Sequence, residues 1–252
     1  MWDSPRQLNV LALSFALVAV ALLAWGVGGW AVRQPLFGIR KVVIEGPLQR
    51  ADAAHLRAVV REELSGTFFT LRLAEARASL ERVPWVKTVG LRREWPGTLR
   101  IEIAEHQPLA RWNDAALVDT DGEVFAADFA GALPQLEGPE GSAALVAARF
   151  RDYGGELASR ALAIAELKLS ARGGWRLRTA GGAPLTIELG RSDPAERLAR
   201  FVAYYGRTVG ALARAGKRIE YADLRYGTGF AVRVPALNDK SAPKKGQGTS
   251  AW

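Results

Sequence analysis

The side chains that most often carry catalysis are sparse in this chain of 252 residues: there are two histidines, His55 and His106, and no cysteine. Without cysteine there is no thiolate nucleophile, no cysteine-held metal and no disulfide staple. Neither histidine lies in a His-x-x-x-His or His-x-Glu spacing that would bring two ligands together, so both read as surface or edge residues and no metal is expected. Asp119-Thr120-Asp121-Gly122-Glu123 sets carboxylates on alternate residues before a glycine, as a calcium loop does. It lacks the third oxygen ligand and the distant bidentate glutamate, and a hairpin turn is the expectation. Between Gly210 and Gly216-Lys217 the glycines stand too far apart for a phosphate loop, Arg218 occupies the hydroxyl position, and the segment closes a helix instead of opening one. No Gly-x-Ser-x-Gly elbow occurs. The chain therefore reads as a binding protein, with neither enzymatic activity nor a cofactor.

The chemistry it does offer is that of recognition. Arg225, Tyr226, Phe230 and Arg233 surround Gly227-Thr228-Gly229 between two strands predicted over 219–226 and 230–235. Arg and Tyr combine planar area with directional hydrogen bonds, and an edge strand leaves N–H and C=O groups open to a partner's backbone.

These residues need elements to hold them. From Leu8 to Val32 no residue is charged. A helix of about 25 residues is about 37 Å long, against a hydrocarbon core of about 30 Å. A cleaved signal peptide would have a shorter apolar core and a small-x-small exit, whereas Trp25 to Trp30 places tryptophans around glycines, so a retained anchor is expected. Arg6 precedes the span and Arg33, Arg40 and Lys41 follow it, so flanking charge does not favour a cytoplasmic N-terminus. A long C-terminal domain can cross regardless of those charges, and the bulk of the chain is placed outside. The net charge of +8 falls entirely beyond the span, since residues 1–32 hold only Asp3 and Arg6. The basic residues are scattered, and no nucleic-acid-binding module is recognised.

Periodicity supplies the rest. Lys41 to Glu45 reads as a strand and Asp52 as the N-cap of a helix with Leu56, Val59, Val60 and Leu64 on one stripe, ended by Gly66. A second helix carries Leu73, Ala76, Leu80 and Val83 and stops at Pro84; strands follow at 85–93 and from Leu99 to Ile103 around Pro96-Gly97. Farther on, a hairpin runs from Leu117 to Phe125, a helix spans 143–158, and strands cover 164–170, 174–179 and 184–189. One long helix is predicted over 193–215, with Asp193 as N-cap, Pro194 at its first position and Leu198, Phe201, Val202, Tyr205, Val209 and Leu212 on one side. Beyond Asn238 the composition predicts a disordered tail. The fold class is α+β: a single N-terminal transmembrane helix, a small β-α-α-β-β unit, then a β-rich domain with flanking helices.

The β-α-α-β-β order, with Gly66-Thr67-Phe68-Phe69 and Leu80-Glu81-Arg82-Val83-Pro84-Trp85-Val86-Lys87, resembles the POTRA domain of the FtsQ/DivIB family of bacterial cell-division proteins. Arg93-Glu94-Trp95-Pro96, Pro108-Leu109-Ala110-Arg111-Trp112-Asn113, Leu136 to Ser142, Arg197-Leu198-Ala199-Arg200-Phe201 and Asp223-Leu224-Arg225-Tyr226 follow in the family's order, from the anchor to about Pro235. The resemblance implies a cytoplasmic head at 1–7, a transmembrane helix at 8–32, a POTRA domain at 33–107, a β domain at 108–235 and a tail at 236–252. It implies a single-pass protein of the inner membrane, cytoplasmic at its N-terminus, periplasmic beyond the span and located at the division septum. There it would act as a divisome scaffold that receives a strand of FtsB, which travels with FtsL, and helps control septal peptidoglycan synthesis. Carried over by motif, the partner-binding residues are Arg172, Arg225, Tyr226, Gly227, Thr228, Gly229, Phe230 and Val232, with Arg172 set to meet acidic FtsB side chains. An aromatic residue common near the end of the family's last strand is replaced around Val234. Val86, Lys87 and Val89 would serve secondary recruitment of other divisome proteins. The alternative is a POTRA-type accessory for polypeptide export or outer-membrane assembly; against it, such proteins commonly carry several units ahead of a barrel.

Overall fold

A computed structural model of the chain describes residues 5–31, 33–63 and 67–234. The expected helix end at Leu64 to Gly66, Pro235 and the tail beyond it lie outside the described residues. Two units emerge, Met1–His106 and Gln107–Trp252.

In the first, helix α1 (Pro5–Ala31) is the only one among the described residues long and apolar enough to cross a membrane, with a mean hydropathy of 2.5 over Asn9–Ala31 and none of that window buried. Its hydroxyl at Ser14 is satisfied within the helix, donating to the Val10 carbonyl at 2.6 Å. A short 3-10 turn at Pro35–Phe37 leads to β1 (Lys41–Glu45), α2 (Ala53–Glu63), α3 (Leu73–Leu80), β2 (Val86–Glu94) and β3 (Thr98–Glu105). Asp52 caps α2 as expected, its Oδ1 accepting the Ala54 N–H at 2.8 Å. β3 lies between β1, parallel to it, and β2, antiparallel. Leu99, Ile101 and Ile103 alternate into the core, where they join Leu56, Val60, Ala76, Leu80, Val83, Val86 and Val89. The second helix stops at Leu80, short of Pro84, because the Arg82 and Val83 amides turn back to Ser79 and Leu80 three residues earlier. The buried Glu105 carboxylate is satisfied by the Gln49, Arg50 and Ala51 amides at 2.8 to 3.2 Å, which ties the loop before α2 to the sheet. His106, expected at a surface or edge, is buried instead, its backbone N–H held by the Trp85 carbonyl at 2.9 Å.

The second unit runs β4 (Pro108–Trp112), β5 (Ala116–Asp119), β6 (Val124–Phe125), β7 (Gln135–Glu137), α4 (Ala143–Ala158), β8 (Ile164–Leu169), β9 (Trp175–Thr179), β10 (Thr186–Gly190), α5 (Pro194–Tyr205), α6 (Val209–Arg214), β11 (Tyr221–Asp223) and β12 (Ala231–Arg233). All its described strands join one mixed sheet, ordered β12-β11-β10-β9-β8-β7-β4-β5-β6. The run at Asp119 is the expected hairpin turn between β5 and β6, its Oδ1 accepting the Asp121 and Glu123 amides at 2.9 Å each. Strand β7 is too short to show alternation in the sequence, yet its Leu136 is fully buried between β4 and β8. Tyr153 of α4 and Phe201 of α5 are the largest fully buried side chains, set in a core with Trp175, Leu177, Ile187 and Leu189.

The long helix expected over 193–215 is two. α5 closes at Gly206, Thr208 leaves helical dihedrals (φ −117°, ψ −94°) with its Oγ1 donating to the Tyr204 carbonyl at 2.8 Å, and α6 restarts at Val209. The break lets Val209 bury alongside Leu198 and Phe201. Asp193 does precede α5, but in a left-handed conformation (φ 48°) with no side-chain capping bond. The final strands are three residues each, shorter than expected.

Candidate partner-binding edge

Strand β12 forms one border of the nine-stranded sheet and, among the described residues, pairs on one side only, with β11. Its register sets Tyr221 opposite Arg233, Ala222 opposite Val232 and Asp223 opposite Ala231. Leu224 and Val234 are buried at its two ends, so the border is fastened to the core, and no strand among the described residues pairs with its outer side.

Register also decides which distant residues share this end of the sheet. Gly190 on β10 stands opposite Trp175 on β9, Glu188 is beside Asp223 of the parallel β11, and Asp223 faces Ala231. The β8–β9 turn with Arg172, the end of β10, Arg225-Tyr226 and the Gly227-Thr228-Gly229 turn therefore lie along one end. Three strand spacings separate β9 from β12, so Arg172 and the open edge are about 15 Å apart.

Each predicted residue meets a different fate. Tyr226 is 57% exposed, and Arg172, Gly227 and Thr228 are exposed as well. Gly229, Phe230 and Val232 are half-buried, with the Phe230 ring edge-on to Phe201 at 5.3 Å between centroids. The Gly227 carbonyl accepts from Arg200 Nη1 at 2.6 Å, which fixes the turn to α5. Arg225 is exposed but engaged: Nη2 lies 2.6 Å from Asp223 Oδ2 and Nε 2.9 Å from Oδ1. This bidentate pair holds the Asp223 carboxyl below the usual carboxylate range despite burial, and raises the guanidinium in turn. Gly190, at φ +77°, lets both arginines pass: a Cβ there would lie 2.8 Å from Arg197 Nη1 and 3.0 Å from Arg225 Cγ. Across the β11–β12 pair, Arg233 stacks over the Tyr221 ring at 5.4 Å.

Beside the edge lies a groove that sequence reasoning missed, lined by Arg200, Tyr204, Arg207, Leu212, Phe230 and Val232. Arg200, Tyr204 and Arg207 recur at helical spacing, which is legible in the sequence; that they flank the edge is set by the packing of α5 against Gly227 and Phe230. In the first unit, Val86 and Val89 are buried, so of the three expected recruitment residues only the half-buried Lys87 has a side chain near solvent. The cause is a register shift in β2 between Val86 and Thr88, which brings both valines, three residues apart, to the core side of the strand.

One apolar helix suited to a membrane anchor, a β-α-α-β-β unit and a β-rich domain define the chain as an α+β protein of two folded units. Comparison with known sequences gives the family. Residues 37–106 match the POTRA domain of the FtsQ type, and residues 110–225 match the C-terminal domain of cell division protein FtsQ/DivIB. Cell division protein FtsQ of Burkholderia pseudomallei is 37% identical, with 98% of this chain and 100% of the relative covered. The proteins of the same name from Bordetella pertussis and Escherichia coli are 33% and 35% identical, each over 97% of this chain and over 99% and 91% of the relative. The chain belongs to the FtsQ family of cell-division proteins, which places it in the division machinery.

Proposed function

We propose that the outer edge of β12 accepts an extended segment of FtsB, in complex with FtsL, as an added strand, and that by holding this pair the protein helps control septal peptidoglycan synthesis. The single observation that carries the reading is the one-sided pairing of β12. Strand addition draws affinity from main-chain hydrogen bonds and selectivity from neighbouring side-chain pockets. Here the pocket is the Phe230–Leu212 groove with Arg200 and Arg207 on its rim, suited to an apolar side chain flanked by acids. Arg172, about 15 Å along the same end, suits an acidic side chain beyond the added strand. The reading places the β domain in the periplasm and treats the protein as a scaffold without catalytic activity. A weaker contact with other divisome components at the β2 edge runs through Lys87 and the backbone.

Arg172→Glu and Tyr226→Ala, introduced separately into the full chain, are expected to weaken FtsB capture by about 2 kcal/mol, roughly thirtyfold, with an unchanged circular-dichroism spectrum. Undiminished capture by both folded variants would remove this site.

A further inference from the structure

Four aromatic rings from three separate stretches of chain meet just beyond the membrane helix. Phe37 stands edge-on to Phe69 at 5.4 Å and lies 6.4 Å from Trp95, while Phe68 lies 5.3 Å from Phe69 and 5.8 Å from Trp95. The cluster is built, because backbone bonds tie its carriers together. The Phe68 N–H donates to the Phe37 carbonyl at 2.7 Å, Gly38 bridges Thr67, and the Arg40 N–H donates to the Gly97 carbonyl at 2.8 Å.

Packing against one another does not take these groups out of water. Leu36 is 68% exposed, Trp95 66% and Phe69 48%, and outside α1 the only other large apolar side chain so exposed among the described residues of this unit is Val42. Concentrated exposed apolar surface marks an interaction site.

The tether identifies what covers it. Leu36 follows the end of α1 by five residues, a reach of at most about 18 Å even if fully extended. The real connection is shorter, since the Arg33, Gln34 and Phe37 amides bond back to Trp30, Ala31 and Gln34 at 3.0 to 3.2 Å. The rings are thus confined near the bilayer surface, where indole is favoured. Arg33, Arg40 and Lys41, all exposed, add the charge that anionic headgroups attract.

We propose that Leu36, Phe37, Phe69 and Trp95, with Arg33, Arg40 and Lys41, form a foot seated in the anionic headgroup layer of the membrane crossed by α1. The foot sets how the first unit stands on the bilayer. It rests on the reading of α1 as a membrane span.

The absence of cysteine permits single spin labels in the full chain, reconstituted in vesicles of phosphatidylethanolamine and phosphatidylglycerol. Labels are placed by Val18→Cys in α1, by Trp95→Cys in the foot, and by Pro47→Cys at the far end of β1. Collision with oxygen and with a water-soluble nickel chelate reports depth. The Val18→Cys label should read as hydrocarbon and Pro47→Cys as water, with Trp95→Cys several-fold less open to the chelate than Pro47→Cys. Adding Leu36→Ser and Phe69→Ser should return the Trp95→Cys label to the aqueous value while Val18→Cys stays buried. A Trp95→Cys label as open as Pro47→Cys, beside a buried Val18→Cys, overturns the foot and leaves the span standing. Shelter that survives the two serines overturns it too, and an aqueous Val18→Cys label removes both readings.

Discussion

Arg225 is engaged within its own chain at the place where the family resemblance puts a partner contact. Sequence assigns it to the partner, yet its guanidinium is bound to the buried Asp223 carboxylate. An acid whose pKa is depressed by folding contributes stability above its unfolded value of about 3.9 and loses it as pH falls through the folded value. Arg225→Ala removes the largest cause of that depression and leaves only the backbone N–H at 225 and the Arg197 charge to set against burial. The acid-unfolding midpoint should therefore move to higher pH, and the gap from the unaltered protein should close at pH values below the carboxylate range. Acid titration followed by tryptophan fluorescence checks this; coincident curves would show the pair to be inert. Loss of FtsB capture in the same variant would carry a folding component, which is why Arg172 and Tyr226 are the cleaner probes.

At the scale of elements, the open border depends on parts that touch no partner. Phe201 in α5 is fully buried and braces Phe230, the residue that enters β12. Phe201→Ala should cost about 3 to 5 kcal/mol by cavity formation. It should also weaken FtsB capture, although Phe201 is shielded from the edge. Denaturant unfolding beside a capture assay measures both, and a destabilised variant with full capture would uncouple α5 from the border. The break between α5 and α6 belongs to the same scale. An unbroken apolar stripe is compatible with one long helix, but the chain leaves helical geometry at Thr208 and restarts at Val209, which is buried in the same core as Phe201.

For the whole molecule, the decisive arrangement is one membrane-length apolar helix among the described residues, at the start of the first of two units, with all the surplus positive charge beyond it. Flanking charge alone does not orient such a chain. With the β domain in the periplasm, Asp128→Cys, an exposed site in the second unit, should react with a membrane-impermeant maleimide in intact cells as fully as after lysis. Labelling only after lysis would reverse the topology and with it the proposed meeting with FtsB.

The sequence by itself determined the apolar span, the β-α-α-β-β order, the hairpin at Asp119, the limits of α4 and the family, because these depend on local periodicity, turn chemistry and strings of neighbouring residues. Tertiary structure alone decided that β12 is a border, that Arg172 shares its end of the sheet, that Val86, Val89 and His106 are buried, and that Arg225 is bound to Asp223. Strand order and register arise from pairing between residues far apart in the chain, and no local pattern encodes which edge is left without a neighbour.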